Sequence, residues 1–147
     1  MAALAEKLLA DMNAARKGGD RDAVLLLGTI IADVKNRRIE LRRELTDDEV
    51  IDVLRRGIKR RRESAELYDK GDRPELAARE RREADALAAY LPVAASEDEI
   101  RAAVREAIAA GATAMGSVMG SVNPRFKGRA DGSVVSRIAR EELAAHG

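Results

Sequence analysis

Apolar residues recur every three or four positions from Ala3 to Leu143, and no stretch alternates apolar with polar. That single period dictates helices. Residues i, i+3, i+4 and i+7 share one helix face, whereas a strand face repeats every second residue. The pattern predicts an all-α chain, and residues that start or stop helices mark its breaks. Leu4, Leu8, Met12 and Ala15 give a first helix over about residues 3–17, stopped at Gly18-Gly19. Asp20 supplies the N-cap of a second, running to about Arg43 with Val24, Leu27, Ile31 and Val34 inward. Thr46 and Glu49 form a capping box, in which hydroxyl and carboxylate each satisfy an orphan N–H. The third helix then carries Ile51, Leu54, Ile58, Ala65 and Tyr68 to Gly71. A fourth begins near Asp72, with Pro74 in its first turn and Glu75 at the capping-box position, and buries Leu76, Ala84, Leu87 and Leu91.

At Tyr90-Leu91-Pro92 the pattern breaks, because proline disfavours helix at the residue before it. Ser96 and Glu99 read as another capping box for a fifth helix, with Ile100, Val104, Ala107 and Ile108 packed and Gly111 closing it. Met115, Val118, Met119 and Val122 make a short sixth helix, ended by Pro124. Val135, Ile138, Ala139 and Leu143 make a last one, capped by Asp131 or Ser133. The expected architecture is an N-terminal bundle of about four longer helices (residues 1–91), then a small three-helix C-terminal domain (residues 92–147). Gly116 and Gly120 are expected to let helices of that small domain approach one another.

Composition then removes whole classes of function. Aromatics are 2% of the 147 residues, too few for a base-stacking platform. There is no cysteine, so disulfides and thiolate metal sites are excluded. The single histidine, His146, lies one residue from the end, which excludes Ser/His/Asp catalysis and argues against a metal site. No residues stand out as catalytic or cofactor-binding. The carboxylates fall mostly in first helical turns or beside basic neighbours, where they serve the helix dipole and ion pairs. Met115 and Met119 read as core rather than ligands. No apolar stretch approaches a membrane span, and MAALAEKLLADM carries charges inside a helical pattern, so a cytoplasmic protein is expected.

Net charge is only +1, which gives no general attraction to polyanions, but the charges are segregated. Arg55, Arg56, Lys59, Arg60, Arg61 and Arg62 run without an acid. Arg55, Lys59 and Arg62 share one face of the third helix, within helical reach of Asp52, Glu63 and Glu66. One reading is a solvated, salt-bridged face; the other is a strip that tracks phosphates. Lys35, Arg38 and Arg42 on the second helix would join this strip if the two helices are antiparallel neighbours. A second basic cluster lies in NPRFKGRADG, residues 123–132, where Arg125, Lys127 and Arg129 surround Gly128 just before a helix N-terminus. Spacing alone gives a helix-connecting turn, with an anion site as the second reading, opposed by the carboxylate of Asp131.

Met115-Gly116-Ser117-Val118-Met119-Gly120, followed by Lys127-Gly128-Arg129-Ala130-Asp131-Gly132-Ser133, resembles the C-terminal signature of the GatB/YqeY family. Val34-Lys35-Asn36, the arginine-rich middle, the Tyr90-Leu91-Pro92 joint and Ser96-Glu97 extend the resemblance to free-standing YqeY-like proteins. The chain departs from the pattern at Asn123-Pro124-Arg125-Phe126. The resemblance implies two helical parts, the second similar to the tail domain of the GatB component of the tRNA-dependent amidotransferase. It implies a non-catalytic tRNA- or RNA-binding accessory role, with Lys127, Gly128 and Arg129 of the signature at phosphate; the basic clusters themselves add Arg125, and Arg55, Lys59 and Arg62 on the third helix. Amidotransferase subunits are implied partners. The family label of carbon–nitrogen ligase with glutamine as amido-N-donor reaches the chain by association, since no residues here perform that reaction alone. A helical protein-interaction module without RNA affinity, grooved near Tyr90 and Met119, is the competing expectation.

Overall fold

The computed structural model describes residues 2–146, and these form helices and connecting turns with no strand among them. In order they are α1 (Ala3–Gly18), α2 (Arg21–Leu41), α3 (Asp47–Lys70), α4 (Pro74–Ala88), α5 (Glu97–Ala109), α6 (Met115–Val122), a 3-10 turn (Asn123–Phe126) and α7 (Gly132–His146). Two compact units result, Met1–Leu91 and Pro92–Gly147. No helix of the described residues is long and apolar enough to cross a membrane.

In the N-terminal unit Leu8, Ile30, Val50, Leu54 and Leu87 are fully buried, one layer drawn from all four helices. Gly57 sets the approach of α3 to α2. A Cβ there would come within 2.7 Å of Ile30 Cδ1, and Ile30 is itself fully buried with nowhere to move. The close approach expected at Gly116 and Gly120 is absent, since both face open space on the side of α6 away from Val118 and Val122. In the C-terminal unit Ile100, Val104, Val118, Val122, Val135 and Ile138 form a separate core that also takes in Phe126.

The local signals behave unevenly. The Thr46/Glu49 capping box forms in full. Asp20 caps α2 by accepting the Ala23 N–H at 3.1 Å. α2 stops at Leu41, two residues earlier than expected, because Arg42 adopts a left-handed conformation (φ 56°). α4 starts at Pro74 rather than near Asp72. Asp72 takes the left-handed conformation (φ 56°) that the preceding Gly71 does not, and no side chain caps the helix. Proline at the first position removes one of the orphan N–H groups and has its φ already set for a helix, so the helix starts there. The Ser96/Glu99 box is half made. Ser96 accepts the Glu99 N–H at 3.1 Å, but the Glu99 carboxylate turns instead to Arg129.

One cap comes from far away in sequence. α1 has no side-chain cap of its own at Ala2, and the Leu4 N–H donates to Asp47 Oδ1 at 3.0 Å. Asp47 opens α3, so one carboxylate serves two helix starts. Asp47→Ala is expected to cost about 1 kcal/mol, as a lost N-cap does. Hydrogen exchange is expected to localise the loss to the first turn of α1 as well as α3; unchanged α1 protection would refute the shared cap.

Candidate nucleic-acid interface

The C-terminal cluster is built on a turn with a buried anchor. Pro124 is the second residue of the 3-10 turn, and Phe126, 4% exposed, seats it in the core. Gly128 reverses the chain in the left-handed region (φ 79°), which costs glycine little. Asp131 then caps α7, accepting both the N–H and the hydroxyl of Ser133 at 3.0 Å. Asp131, rather than Ser133, is therefore the capping residue.

The basic side chains of this turn have partners of their own. Arg125 reaches Glu106 on α5 at 3.2 Å. Arg129 donates from Nε to the Val93 carbonyl at 3.1 Å and from Nη2 to both Glu99 oxygens at 3.0 and 3.3 Å. Its guanidinium lies 5.9 Å from the Phe126 ring centre, and its own carbonyl accepts the Ala95 N–H at 2.8 Å. Arg129 thus fastens Val93–Ala95, the chain entering this unit, to the turn. Lys127 is exposed beside it. These pairs are solvent-exposed, where an ion pair contributes at most about 1 kcal/mol. A phosphate can compete for Arg125, but taking Arg129 also releases an architectural tie.

The α3 cluster belongs to the N-terminal unit. Arg55 is half-buried and engaged. Lys59 and Arg62, assigned to one face by spacing, line different grooves. Arg62 faces α4 with Glu66, Arg81 and Asp85. Lys59 lies with Arg56 and Arg60 in an open groove of about 530 Å³ against α2, opposite Arg37 and Asn36. The two basic runs therefore do meet, through Arg37 rather than Lys35, Arg38 or Arg42. Carboxylates are interleaved there. Arg60 pairs with Asp33 at 2.8 Å, Arg37 with Glu40 at 2.8 Å, and Lys59 with Glu63 only at 3.9 Å. Exposed Arg56 and Arg62 make no ion pair or hydrogen bond among the described residues.

Three arrangements were not foreseen from sequence. Glu142 on α7 is buried on the apolar stripe and takes two arginines of α5, Arg101 at 2.8 Å and Arg105 at 2.9 Å. Those hydrogen bonds, Arg105 first, pull its carboxyl down to about 2. Arg43 grips Glu49 with both guanidinium nitrogens, at 2.7 and 2.9 Å, and with the Thr46 N–H holds that carboxyl near about 2. Tyr90 donates its hydroxyl to Asp11 on α1 at 2.5 Å, with Lys7 over its ring. Burial, then Asp11, raises the Tyr90 phenol above its ordinary range, so it stays a donor. The only forewarning for Glu142 was its place four residues after Ile138, on the inner face.

No group of three or more metal-ligating side chains occurs among the described residues. The family described as Yqey-like protein matches residues 5–143, nearly the whole chain, and the chain belongs to that family. No curated protein matches it.

Proposed function

We propose that this Yqey-like protein is a non-catalytic RNA-binding accessory factor, contacting the phosphate backbone of tRNA or a similarly structured RNA and related in role to the tRNA-dependent amidotransferase. The observation that carries the reading is on α3. Arg56, beside Lys59 in the α2–α3 groove, and Arg62, in the neighbouring groove toward α4, stand exposed without an ion-pair partner among the described residues, and the Lys59 pair is stretched to 3.9 Å. Cations without a direct ion pair on a rigid helix are what a phosphate chain rewards, because each contact releases a condensed counterion. With aromatics scarce, recognition runs through backbone and shape rather than base stacking. Arg125, Lys127 and Arg129 are the second contact point of this reading, with Arg129 also tied to its turn.

The test is tRNA binding across a salt series. The expected result is binding at low salt whose affinity falls steeply as salt rises. Arg56→Ala with Lys59→Ala and Arg62→Ala is expected to weaken it at least tenfold and flatten the log–log salt slope by roughly 2–3, about 0.7–0.9 per lost contact. No binding at low salt, or an unaltered slope in the triple variant, refutes the reading. A protein-interaction module is the second reading, favoured by Leu25, Ile39 and Leu67, each more than 60% exposed on α2 and α3. Recovery of one protein partner in a nuclease-resistant pull-down would support it instead.

A further inference from the structure

A second cleft of about 420 Å³ opens in the N-terminal unit between the first turns of α2 and the outer half of α4. Its floor is apolar, with Leu26 and Leu27 from α2 and Ala86 from α4, and Tyr90 stands at one end. The Tyr90 hydroxyl is held by Asp11, which fixes the ring in place. A volume of this size lies within the range of small-molecule sites.

Five charged side chains rim the cleft, and three are already spoken for. Asp20 caps α2 through the Ala23 N–H. Glu83 receives Arg61 at 3.3 Å and Arg79 at 3.4 Å, which occupies both Glu83 and Arg79. Asp22 on the α2 wall and Arg82 on the α4 wall remain, opposite in sign and both exposed. Neither makes an ion pair or hydrogen bond among the described residues, with the other or with anything else. Two opposite charges that line one cleft without pairing offer both signs to a ligand that carries both. A polyanion does not fit, because three carboxylates edge the same rim.

We propose that this cleft binds a free zwitterionic α-amino acid with an apolar side chain. Arg82 takes the carboxylate, in the planar two-pronged geometry that guanidinium offers. Asp22 takes the ammonium group, and the side chain lies over Leu26 and Leu27. The site is separate from the α3 strip, so it stands or falls independently of RNA binding.

The test is calorimetric or NMR titration of the full chain with L-leucine, N-acetyl-L-leucine and L-leucinamide. L-leucine is expected to saturate with a Kd of about 1 mM or tighter. The two derivatives, each lacking one charge, are expected to bind at least tenfold more weakly, as is L-leucine to Arg82→Gln and to Asp22→Asn. Both substituted side chains are exposed, and an unshifted Tm checks that each variant keeps its fold. The proposal is overturned by the absence of saturable binding up to about 20 mM. Equal binding of N-acetyl-L-leucine, or variants that bind L-leucine as the native chain does, also overturns it.

Discussion

Leu54→Ala is expected to destabilise the N-terminal unit by about 3 kcal/mol, while Leu67→Ala on the same helix changes stability by less than about 0.5 kcal/mol. Leu54 is fully buried in the same core cluster as Ile30 and Leu87, whereas Leu67 is 68% exposed. Truncating Leu54 removes the transfer energy of its methyl groups and leaves a hole that the surrounding side chains only partly fill. Gly57 makes this worse, since α3 is already pressed to contact with Ile30 and the helices cannot close further. For a unit of this size such a loss lowers Tm by roughly 12–20 °C. Thermal melting followed by circular dichroism reads it, and hydrogen exchange places it in α2–α4. Equal effects of the two substitutions would show that this layer is not the core.

The contrast between those two leucines was legible in the sequence, because period alone separates inner from outer helix positions. The same holds for the Thr46/Glu49 box, where both partners lie within one turn and the carboxylate takes Arg43 without releasing the Thr46 N–H. Legibility failed where a residue's partner is remote. Asp47 reads as an ordinary first-turn acid, yet it caps Leu4, 43 residues earlier. Glu99 reads as half of a capping box, yet Arg129, 30 residues later, takes its carboxylate. A guanidinium that can make two bonds and lie against Phe126 outcompetes one backbone N–H.

The candidate site follows the same division. Sequence located both basic clusters but could not say which cations were spent. Arg125, Lys127 and Arg129 read as candidate anion ligands because glycine and a helix start lie among them. In the folded unit Arg125 and Arg129 answer Glu106 and Glu99, carboxylates that spacing could not bring near. On α3 the face was mis-divided. Lys59 and Arg62 are three residues apart, about 60° around the helix, enough for neighbouring helices to send them into separate grooves. Arg56, which spacing puts off the Arg55–Lys59–Arg62 face, is exposed in the α2–α3 groove beside Lys59 and Arg60 and, unlike them, makes no ion pair among the described residues.

Glu142→Gln is expected to lower Tm near neutral pH by roughly 5–10 °C and to lose most of that deficit by about pH 2. Glu142 is 11% exposed at its side chain, while Arg101 is 27% and Arg105 67% exposed, so water screens the outer partner and the effect is smaller than for a sealed pair. The sign follows from linkage. Folded Glu142 titrates at about 2, held down by Arg105 and Arg101, against an ordinary 4.5. Its stabilising contribution is therefore complete above about pH 4.5 and is lost as pH falls through about 2, because the unfolded chain takes up the proton first. Glutamine keeps the shape but never carries the charge, so the two melting curves diverge above pH 4.5 and converge in acid. Glu141, lowered by Arg101 and Arg137, and Glu49 in the other unit remain in the variant, which keeps some acid sensitivity. Carboxyl-carbon NMR supplies the direct check. A Glu142 midpoint near 4.5, or melting curves that stay parallel from pH 7 to 2, would mean that the α5–α7 clamp does not hold this carboxylate in solution.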